Sequence, residues 1–239
     1  MWHGKSLAVV LPTYNEAGSI ADCIRGFEAL GIVDDIVVVN NNAHPDTSPA
    51  VAATSAREVF ESTQGYGAAI RRGFAETAGA DLVCVCEPDG TFEPGDVLKL
   101  LPFTNDVAVA FGSRTVQTFI LSGANMGWFL RWGNWAVAKL TEVLFNTVYL
   151  SDVGCTFRVL RRDAVDRISP WFRGTGSSFG FEMMLLVAQL RLPFVQVPVK
   201  YQARVGQSSV TGDRAAAVRL GLEMIGLCLR ERARPRTRQ

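Results

Sequence analysis

The sequence predicts one α/β domain with a mostly parallel central sheet and helices on both faces. Short runs of β-branched and other apolar residues recur along the chain. Each run is continuous rather than alternating, as in strands that are buried on both faces. Helical patterns separate these runs, which is the order of elements that a parallel sheet requires. The chain has 239 residues, 48% of them hydrophobic, which suits one large domain with a sizeable core.

Strands are predicted at the apolar runs, and helices in the stretches between them. The runs SLAVVL, IVVVN, DLVCVC, VAVAF and VQVPV place strands at 6–11, 36–40, 81–86, 107–111 and 195–199. Helical patterns cover 16–30, 66–78, 95–102, 125–148, 180–190 and 213–232. No break in composition marks a domain boundary before the arginine-rich end. We therefore expect residues 1–212 to form the main domain, and 213–239 to add a C-terminal helix and a basic tail to it.

Polar side chains follow each of the first four predicted strands. The segments are PTYNE (12–16), NNNAHPDTS (40–48), EPDGTFEP (87–94) and GSR (112–114). The carboxyl ends of parallel strands meet at one edge of a sheet, and ligands of such sheets bind there. Loops at the opposite edge carry no comparable set of polar residues. The sequence therefore predicts a ligand site at this edge.

The third of these segments places acidic residues on a tight turn. A Pro-Asp-Gly turn needs no more than turn chemistry, so the segment alone does not establish a site. Carboxylates on such a turn can also hold a hard divalent cation that shares oxygen ligands with a diphosphate. On that interpretation Asp89 is the direct ligand of Mg²⁺ or Mn²⁺, and Glu87 supports it. The cation would stabilise charge on a departing diphosphate.

Two further features suit anionic ligands. QGYGAAIRRGF (64–74) is a glycine-rich entry to a helix, which either places backbone N–H groups near a phosphate or simply starts the helix. It lacks the Lys-Ser/Thr ending of a P-loop. Four arginines in polar or aromatic surroundings are candidates for anion contacts: Arg114, Arg131, Arg158 and Arg204.

Taken in order, these motifs resemble the family 2 inverting glycosyltransferases, which are nucleotide-sugar enzymes of the Rossmann-like GT-A fold. Within that family they are most similar to the dolichol- and polyprenyl-phosphate mannosyl- and glucosyltransferases. The matching segments are VVLPTYNEAGSI (9–20), VVVNNNAHPDTS (37–48), QGYGAAIRRGF (64–74), EPDGTFEP (87–94), GSR (112–114), SDVGCTFRVLRRDA (151–164), FGFEMMLL (179–186) and VPVKYQARVGQSS (197–209). The resemblance implies that residues 1–212 form a GT-A catalytic domain.

The resemblance further implies a metal-dependent, inverting transfer of a hexose from a nucleoside diphosphate sugar to a polyprenyl phosphate. It implies that Asp89 and Glu87 hold Mg²⁺ or Mn²⁺, and that the acceptor phosphate meets Arg114, Arg131 and Arg204. The residues implied to bind the nucleotide-sugar are Pro12, Tyr14, Glu16, Asn40, Asn41, Gly67, Glu87 and Asp89. Those implied to act in catalysis are Asp89, Arg114, Asp152 and Arg204. Asp152 and Glu182 match acidic positions near the acceptor.

Departures from the family pattern leave two alternatives open. Asn40 and Asn41 stand where an acidic pair is usual, and Ser209 stands where a lysine is usual. The amides keep hydrogen-bonding capacity without charge. One alternative is a family 2 transferase acting on a soluble or protein-bound hydroxyl, which would need Asp152 or Glu182 as a general base. The other is a catalytically inactive protein that binds a sugar nucleotide.

An aromatic helix suggests membrane contact. Trp128, Trp132 and Trp135 share one face of the predicted helix, with Arg131 and Lys139 nearby. A helix of this kind either lies in the bilayer interface or packs its aromatic stripe on the sheet. Both interpretations agree with the sequence.

Composition indicates the cellular compartment and the classes of partner to expect. The apolar windows are broken by charges and predict no membrane-spanning segment, while residues 230–238 hold five arginines that would attract an anionic lipid surface. Five cysteines without a metal-binding spacing favour a reducing compartment. We therefore expect a cytoplasmic protein that is peripheral at the cytoplasmic face of the membrane. A nucleic-acid partner is not predicted, and self-association would enlarge the lipid-facing surface.

Overall fold

The computed structural model describes residues 1–124, 126–206 and 214–234, with only the backbone described for 214–216. In this part of the chain a seven-stranded sheet forms the centre of the molecule. Its strands are β1 (Leu7–Thr13), β2 (Asp35–Asn40), β3 (Arg57–Phe60), β4 (Leu82–Val85), β5 (Val109–Ser113), β6 (Arg158–Arg161) and β7 (Phe194–Pro198). The helices are α1 (Ile20–Glu28), α2 (Thr47–Ala52), α3 (Tyr66–Glu76), α4 (Val97–Leu100), α5 (Trp128–Phe145), α6 (Arg162–Ile168), α7 (Phe179–Gln189) and α8 (Arg214–Ala233).

The sheet is parallel except at one strand. Its order is β3-β2-β1-β4-β6-β5-β7. β6 runs antiparallel to both of its neighbours, β4 and β5, and the other pairs are parallel. The carboxyl ends of β1, β2, β4 and β5 therefore share an edge with the amino end of β6. The predicted α/β fold with a mostly parallel sheet is confirmed.

Helices cover both faces of the sheet because side chains alternate along its strands. On one face, Val10 of β1 belongs to a core cluster that includes residues of α3, α5, α6, α7 and α8. On the other face, Leu7, Val9 and Leu11 of the same strand belong to a cluster with residues of α1, α2 and α4. All seven residues of β1 are buried, which explains why its apolar run is continuous.

Two strands and two helices were not predicted. β3 reads REVF and is an edge strand in which Arg57 pairs with Asp35 and Glu76, so its apolar signal is weak. β6 lies inside the sheet but begins at Arg158, a fully buried arginine that hides the strand in a polar pattern. The helices α2 and α6 are short and carry no long apolar periodicity, and α6 begins directly after β6.

The last helix is packed against the rest of the domain. Met224 and Cys228 of α8 are buried in the same core cluster as residues of α5 and α7. Gln189 of α7 donates from Nε2 to the carbonyl oxygen of Glu231 at 2.9 Å. Among the described helices, none has both the length and the apolar character needed to cross a bilayer.

Candidate functional site

Each of the polar segments predicted to meet at one sheet edge contributes at least one residue to a common cleft. Its volume is about 520 Å³. Seven of the predicted site residues line it: Pro12, Tyr14, Glu16, Asn41, Glu87, Arg114 and Arg204. The other predicted residues, Asn40, Gly67, Asp89, Arg131 and Asp152, lie outside this lining set. Seven of the side chains predicted to form a site thus share this cleft, while their roles stay predictions.

The turn that follows β4 holds Asp89 through hydrogen bonds to only one of its two carboxylate oxygens. The side chain is buried, and its Oδ1 accepts hydrogen bonds from the backbone N–H of Thr91 at 2.9 Å and from the Thr91 hydroxyl at 2.5 Å. Gly90, at φ +80°, lets the chain reverse between the two residues. Oδ2 accepts no hydrogen bond. It lies 2.5 Å from Nη2 of Arg204, a charge contact without hydrogen-bond geometry.

Arg204 is surrounded by acidic side chains. Besides Asp89, its guanidinium lies 3.4 Å from Oε2 of Glu87 and 3.9 Å from Oε1 of Glu16. Burial raises the pKa of Glu87 to about 7, and the neighbouring Asp89 carboxylate adds to the rise, while Arg204 opposes it. The site therefore concentrates negative charge around one cation.

The residues present fit a divalent cation that is shared with a ligand. Asp89 Oδ2 is a buried oxygen without a hydrogen bond, and Glu87 supplies a second carboxylate beside it. Mg²⁺ and Mn²⁺ prefer such oxygen ligands and commonly complete their shell with substrate phosphates and water. The described residues contain no group of three or more His, Cys, Asp or Glu side chains able to hold a metal by themselves. Phosphate oxygens of a ligand would have to supply the remaining positions.

Glu16 fixes the loop that follows β1. Its Oε2 accepts hydrogen bonds from the backbone N–H groups of Tyr14 at 2.6 Å and Asn15 at 2.8 Å, and from the Thr13 hydroxyl at 3.1 Å. Tyr14 is thereby presented at the cleft with its side chain partly exposed. Glu16 acts on the cleft by positioning this loop.

The side-chain amides of Asn40 and Asn41 form hydrogen bonds with other residues of the protein. Asn41 donates from Nδ2 to the carbonyl oxygens of Glu61 at 2.8 Å and Thr63 at 2.7 Å, and its Oδ1 accepts from the N–H of Gly65 at 2.7 Å. Asn40 donates to Glu58 Oε1 at 2.8 Å. An aspartate at either position would face acceptor oxygens, so this chain's own contacts account for the neutral residues.

Arg114 also lines the cleft and is held there by Asp152. Asp152 is fully buried, and its oxygens accept from Nε, Nη2 and the backbone N–H of Arg114, and from the N–H of Gly154. Burial opposes the negative charge of Asp152, but Arg114 outweighs it, and the pKa of Asp152 is lowered. The guanidinium also lies over the ring of Tyr201, 5.1 Å from its centre. Asp152 thus positions Arg114 and has no oxygen free to act as a base.

Three other predicted residues have structural partners away from the cleft. Glu182 is buried and accepts from the N–H groups of Arg173 and Gly174. Arg131 donates to Gln117 at the surface. Arg158, expected to contact an anion, is buried and donates to the carbonyl oxygens of Gly180 and Cys155.

The glycine-rich entry to α3 is a helix start, and the phosphate interpretation is not supported by its contacts. The N–H groups of Gly67 and Ala68 donate to the carbonyl oxygen of Thr175 at 2.7 and 3.3 Å, so neither is free for a phosphate. A Cβ at position 67 would lie 2.7 Å from the side chain of Phe179. Close packing therefore explains Gly67.

Sequence reasoning missed several cleft residues. Thr91 fixes Asp89, and its position two residues after an Asp-Gly pair was the available signal. Tyr66 and Tyr201 also line the cleft. They lie in the segments 64–74 and 197–209, whose glycines and arginines had drawn the prediction instead. Ser209, noted as a departure from the family pattern, lies outside the described residues.

Comparison with known proteins decides the family. The model of the family described as glycosyl transferase family 2 matches residues 8–169, which include the cleft residues from β1 to β6. The chain belongs to glycosyl transferase family 2. As a family 2 glycosyltransferase it is a transferase enzyme with the GT-A architecture, in agreement with the sequence prediction.

Relatives of this glycosyltransferase include several lipid-phosphate enzymes. It is 29% identical to the dolichyl-phosphate hexose transferase of Haloferax volcanii, over 95% of this chain and 96% of the relative. It is 25% identical to the undecaprenyl-phosphate mannosyltransferase of Micrococcus luteus, over 92% of this chain and 94% of the relative. A further relative, the low-salt glycan biosynthesis hexosyltransferase Agl6 of H. volcanii, is 30% identical over 86% of this chain, which spans 50% of that protein's length.

A solved structure shares the fold. Glucosyl-3-phosphoglycerate synthase from Mycobacterium tuberculosis, crystallised with Mn²⁺, UDP and glucosyl-3-phosphoglycerate, superposes with a TM-score of 0.74. The two proteins are 18% identical, and the match covers 98% of this glycosyltransferase and 82% of the synthase. At that identity the likeness establishes the shared architecture.

Proposed function

We propose that this family 2 glycosyltransferase moves a hexose, with inversion, from a nucleoside diphosphate sugar to a polyprenyl phosphate, assisted by Mg²⁺ or Mn²⁺. The observation that carries the proposal is that one cleft combines a group of carboxylates, which we call its acidic side, with a fixed arginine, which we call its basic side. Glu87 lines its acidic side, with Asp89 buried next to Arg204, and Arg114, in its ion pair with Asp152, lines its basic side. Two relatives aligned over nearly their whole length are a dolichyl-phosphate and an undecaprenyl-phosphate transferase, which supports the acceptor class.

The acidic side suits the donor. Asp89 Oδ2 and Glu87 would hold the cation, which supplies positive charge to the departing diphosphate when bound. Tyr14, presented by Glu16, lines the same part of the cleft as Asn41 and the loop that Asn41 fixes. This arrangement fits a nucleotide placed across the ends of β1 and β2, where ligands of such sheets bind.

The basic side suits an anionic acceptor. Arg114 is preorganised by Asp152, which accepts from its Nε and Nη2, and the Nη1 end of the guanidinium would be the part that binds a phosphate. An acceptor phosphate oxygen then forms a bond to the anomeric carbon, while the bond from that carbon to the diphosphate oxygen breaks and its electron pair leaves with the nucleoside diphosphate. Attack from the opposite face inverts the anomeric centre.

The protonation chemistry favours phosphate over a hydroxyl acceptor. A phosphate is ionised near neutral pH and requires no strong base, whereas a hydroxyl does. The two acidic candidates for that base, Asp152 and Glu182, are both buried and engaged by N–H donors, and neither lines the cleft.

The proposal includes peripheral contact with the cytoplasmic face of a membrane. On α5, Trp128 is 73% exposed, Trp132 60% and Trp135 44%, whereas Val137 and Phe145 are buried against the core. The tryptophans therefore do not form the stripe that packs on the sheet. An exposed aromatic face with nearby basic residues suits a bilayer interface, where the acceptor lipid would lie.

A matched pair of acceptors tests the proposal. The protein is incubated with Mn²⁺ and a panel of nucleoside diphosphate hexoses, and either a short polyprenyl phosphate or the corresponding polyprenol. We expect a glycosylated phosphate and no glycosylated alcohol. Asp89→Ala should lower the rate by at least about 100-fold, as expected for loss of charge stabilisation, and Asp22→Ala, at an exposed helix position, should not. Transfer to the alcohol alone, or a fully active Asp89→Ala variant, would overturn the assignment.

A further inference from the structure

The segment that carries Arg204 is tied by its backbone to the turn that carries Asp89. Gln202 donates from its N–H to the carbonyl oxygen of Thr91 at 3.0 Å, and from Nε2 to that of Gly90 at 2.9 Å. Val205 donates from its N–H to the carbonyl oxygen of Asp89 at 2.9 Å. These bonds do not involve the guanidinium of Arg204. That group can leave the carboxylates while its backbone stays in place.

The guanidinium occupies the one oxygen that the turn leaves without a hydrogen bond. Nη2 of Arg204 lies 2.5 Å from Asp89 Oδ2, and the side chain is 26% exposed, so it has room to move toward the open cleft. A divalent cation bound to the same oxygen would lie about 2 Å from it and would repel the guanidinium strongly at that range. Arg204 and a metal therefore compete for Asp89.

We propose that Arg204 is the exchangeable counter-ion of this site. Its guanidinium neutralises Asp89 and its neighbours while no metal is bound, and it moves to the acceptor phosphate when a cation takes Asp89 Oδ2. This inference rests on the proposed function and adds a binding order to it. The donor and the metal bind first, and the released Arg204 then supplies one half of the site for the acceptor phosphate. Arg114, which Asp152 fixes, supplies the other half of the phosphate site, and this half exists before the metal binds.

The exchange couples binding of the metal to binding of the acceptor phosphate, although the metal would contact Asp89 and the phosphate would contact Arg204. An acceptor phosphate that draws Arg204 away removes a competitor of the metal, so it raises metal affinity. By linkage, the metal raises affinity for the phosphate by the same factor. Couplings of this kind are typically about 5- to 150-fold, and we expect about tenfold here.

The test measures Mn²⁺ binding directly, without turnover. Free Mn²⁺ is followed by electron paramagnetic resonance in the presence of whichever nucleoside diphosphate most stabilises the protein in a thermal-shift panel. Titrations are made with farnesyl phosphate, farnesol, inorganic phosphate or no addition. In the wild type, farnesyl phosphate should raise Mn²⁺ affinity about tenfold and farnesol should not. Inorganic phosphate should give part of the effect, because it supplies the charge without the chain.

Variants separate the exchange from a general charge effect. Arg204→Ala should bind Mn²⁺ more tightly than the wild type without phosphate and should lose the response to farnesyl phosphate. Arg204→Lys should keep a weakened response. Arg25→Ala, at an exposed position paired with Asp22, should behave as the wild type. The exchange is overturned if Arg204→Ala binds Mn²⁺ as the wild type does or more weakly, or if it retains the full response.

The same titration distinguishes this inference from the proposed function. If Asp89→Ala binds Mn²⁺ as tightly as the wild type, the cation site itself is wrong. If Asp89→Ala loses Mn²⁺ binding while Arg204→Ala leaves both affinity and coupling unchanged, only the exchange is wrong. Circular dichroism spectra of each variant show whether it is folded.

Discussion

Asp152 lies directly behind Arg114, with Oδ2 2.9 Å from Nε and Oδ1 3.0 Å from Nη2. The carboxylate is fully buried, and the arginine side chain is only 13% exposed. Such a pair holds a guanidinium in one orientation, because both partners would be left with unpaired charge if they separated. The geometry of the basic side of the cleft thus depends on a residue that does not line it.

Asp152→Asn should destabilise the fold. It removes the charge that balances Arg114, and breaking a buried pair in this way costs about 3–5 kcal/mol. The measurement is the free energy of unfolding by urea. Asp163→Asn is the matched control, because Asp163 pairs with Arg161 at the surface and should cost at most about 1 kcal/mol. Equal losses in the two variants would contradict the structural role of Asp152.

Asn41→Asp should loosen the loop at 61–65. The substitution replaces an N–H₂ group with an oxygen that faces the carbonyl oxygens of Glu61 and Thr63, at a cost of about 1–3 kcal/mol. Thermal unfolding near neutral pH should show the loss, and acidification toward pH 4 should reduce it, because a protonated carboxyl can donate again. Donor affinity should fall as well. An Asn41→Asp protein with wild-type stability at pH 7 would show that these amide contacts contribute nothing.

Glu87 should make the metal-free protein less stable as pH rises. Its pKa is raised from 4.5 to about 7, first by burial and then by Asp89, so the folded state binds more protons than the unfolded state between these values. The free energy of unfolding should therefore fall across that window, by at most about 1.4 kcal/mol per pH unit. Above about pH 7 this contribution becomes constant. Unfolding in the presence of a chelator, for wild type and Glu87→Gln, measures it, and identical slopes would show that Glu87 does not titrate there.

The exposed face of α5 should bind membranes without supporting the fold. Replacing Trp128 and Trp132 with alanine should leave the free energy of unfolding within about 0.5 kcal/mol of the wild type, because both side chains are largely exposed. Co-sedimentation with vesicles of anionic phospholipid should fall severalfold. Phe60→Ala, at another exposed aromatic position, should sediment as the wild type does. Unchanged sedimentation of the double variant would remove α5 from the proposed membrane contact.

Much of the fold could be predicted because the buried strands are nearly pure apolar runs. β1, β2, β4, β5 and β7 were each visible in this way, and the polar residues after four of them do meet at one cleft. β6 was not visible, because its first residue is a buried arginine, one of whose hydrogen bonds goes to the carbonyl oxygen of Gly180 on α7. Periodicity cannot show such a contact.

The sequence predicted which residues lie near the candidate site better than it predicted what each of these residues does. Asp89 and Arg204 stand 115 positions apart, and only the tertiary fold brings them to 2.5 Å. Gly67 was predicted to contact the nucleotide-sugar, whereas its N–H and its packing are used within the protein. Asn41 lines the cleft but also holds its own loop through hydrogen bonds, so its contact with a ligand stays a prediction. Sequence motifs name the side chains near a cleft, but the distribution of hydrogen-bond donors decides which of them remain free.

The reversed strand β6 sets the span of the cleft. It separates β4, which leads to Glu87, from β5, which leads to Arg114. Two steps between neighbouring strands amount to roughly 10 Å. Backbone ladders maintain this interval, so exchanging side chains in the cleft can alter which sugar is accepted without bringing the two ends closer together.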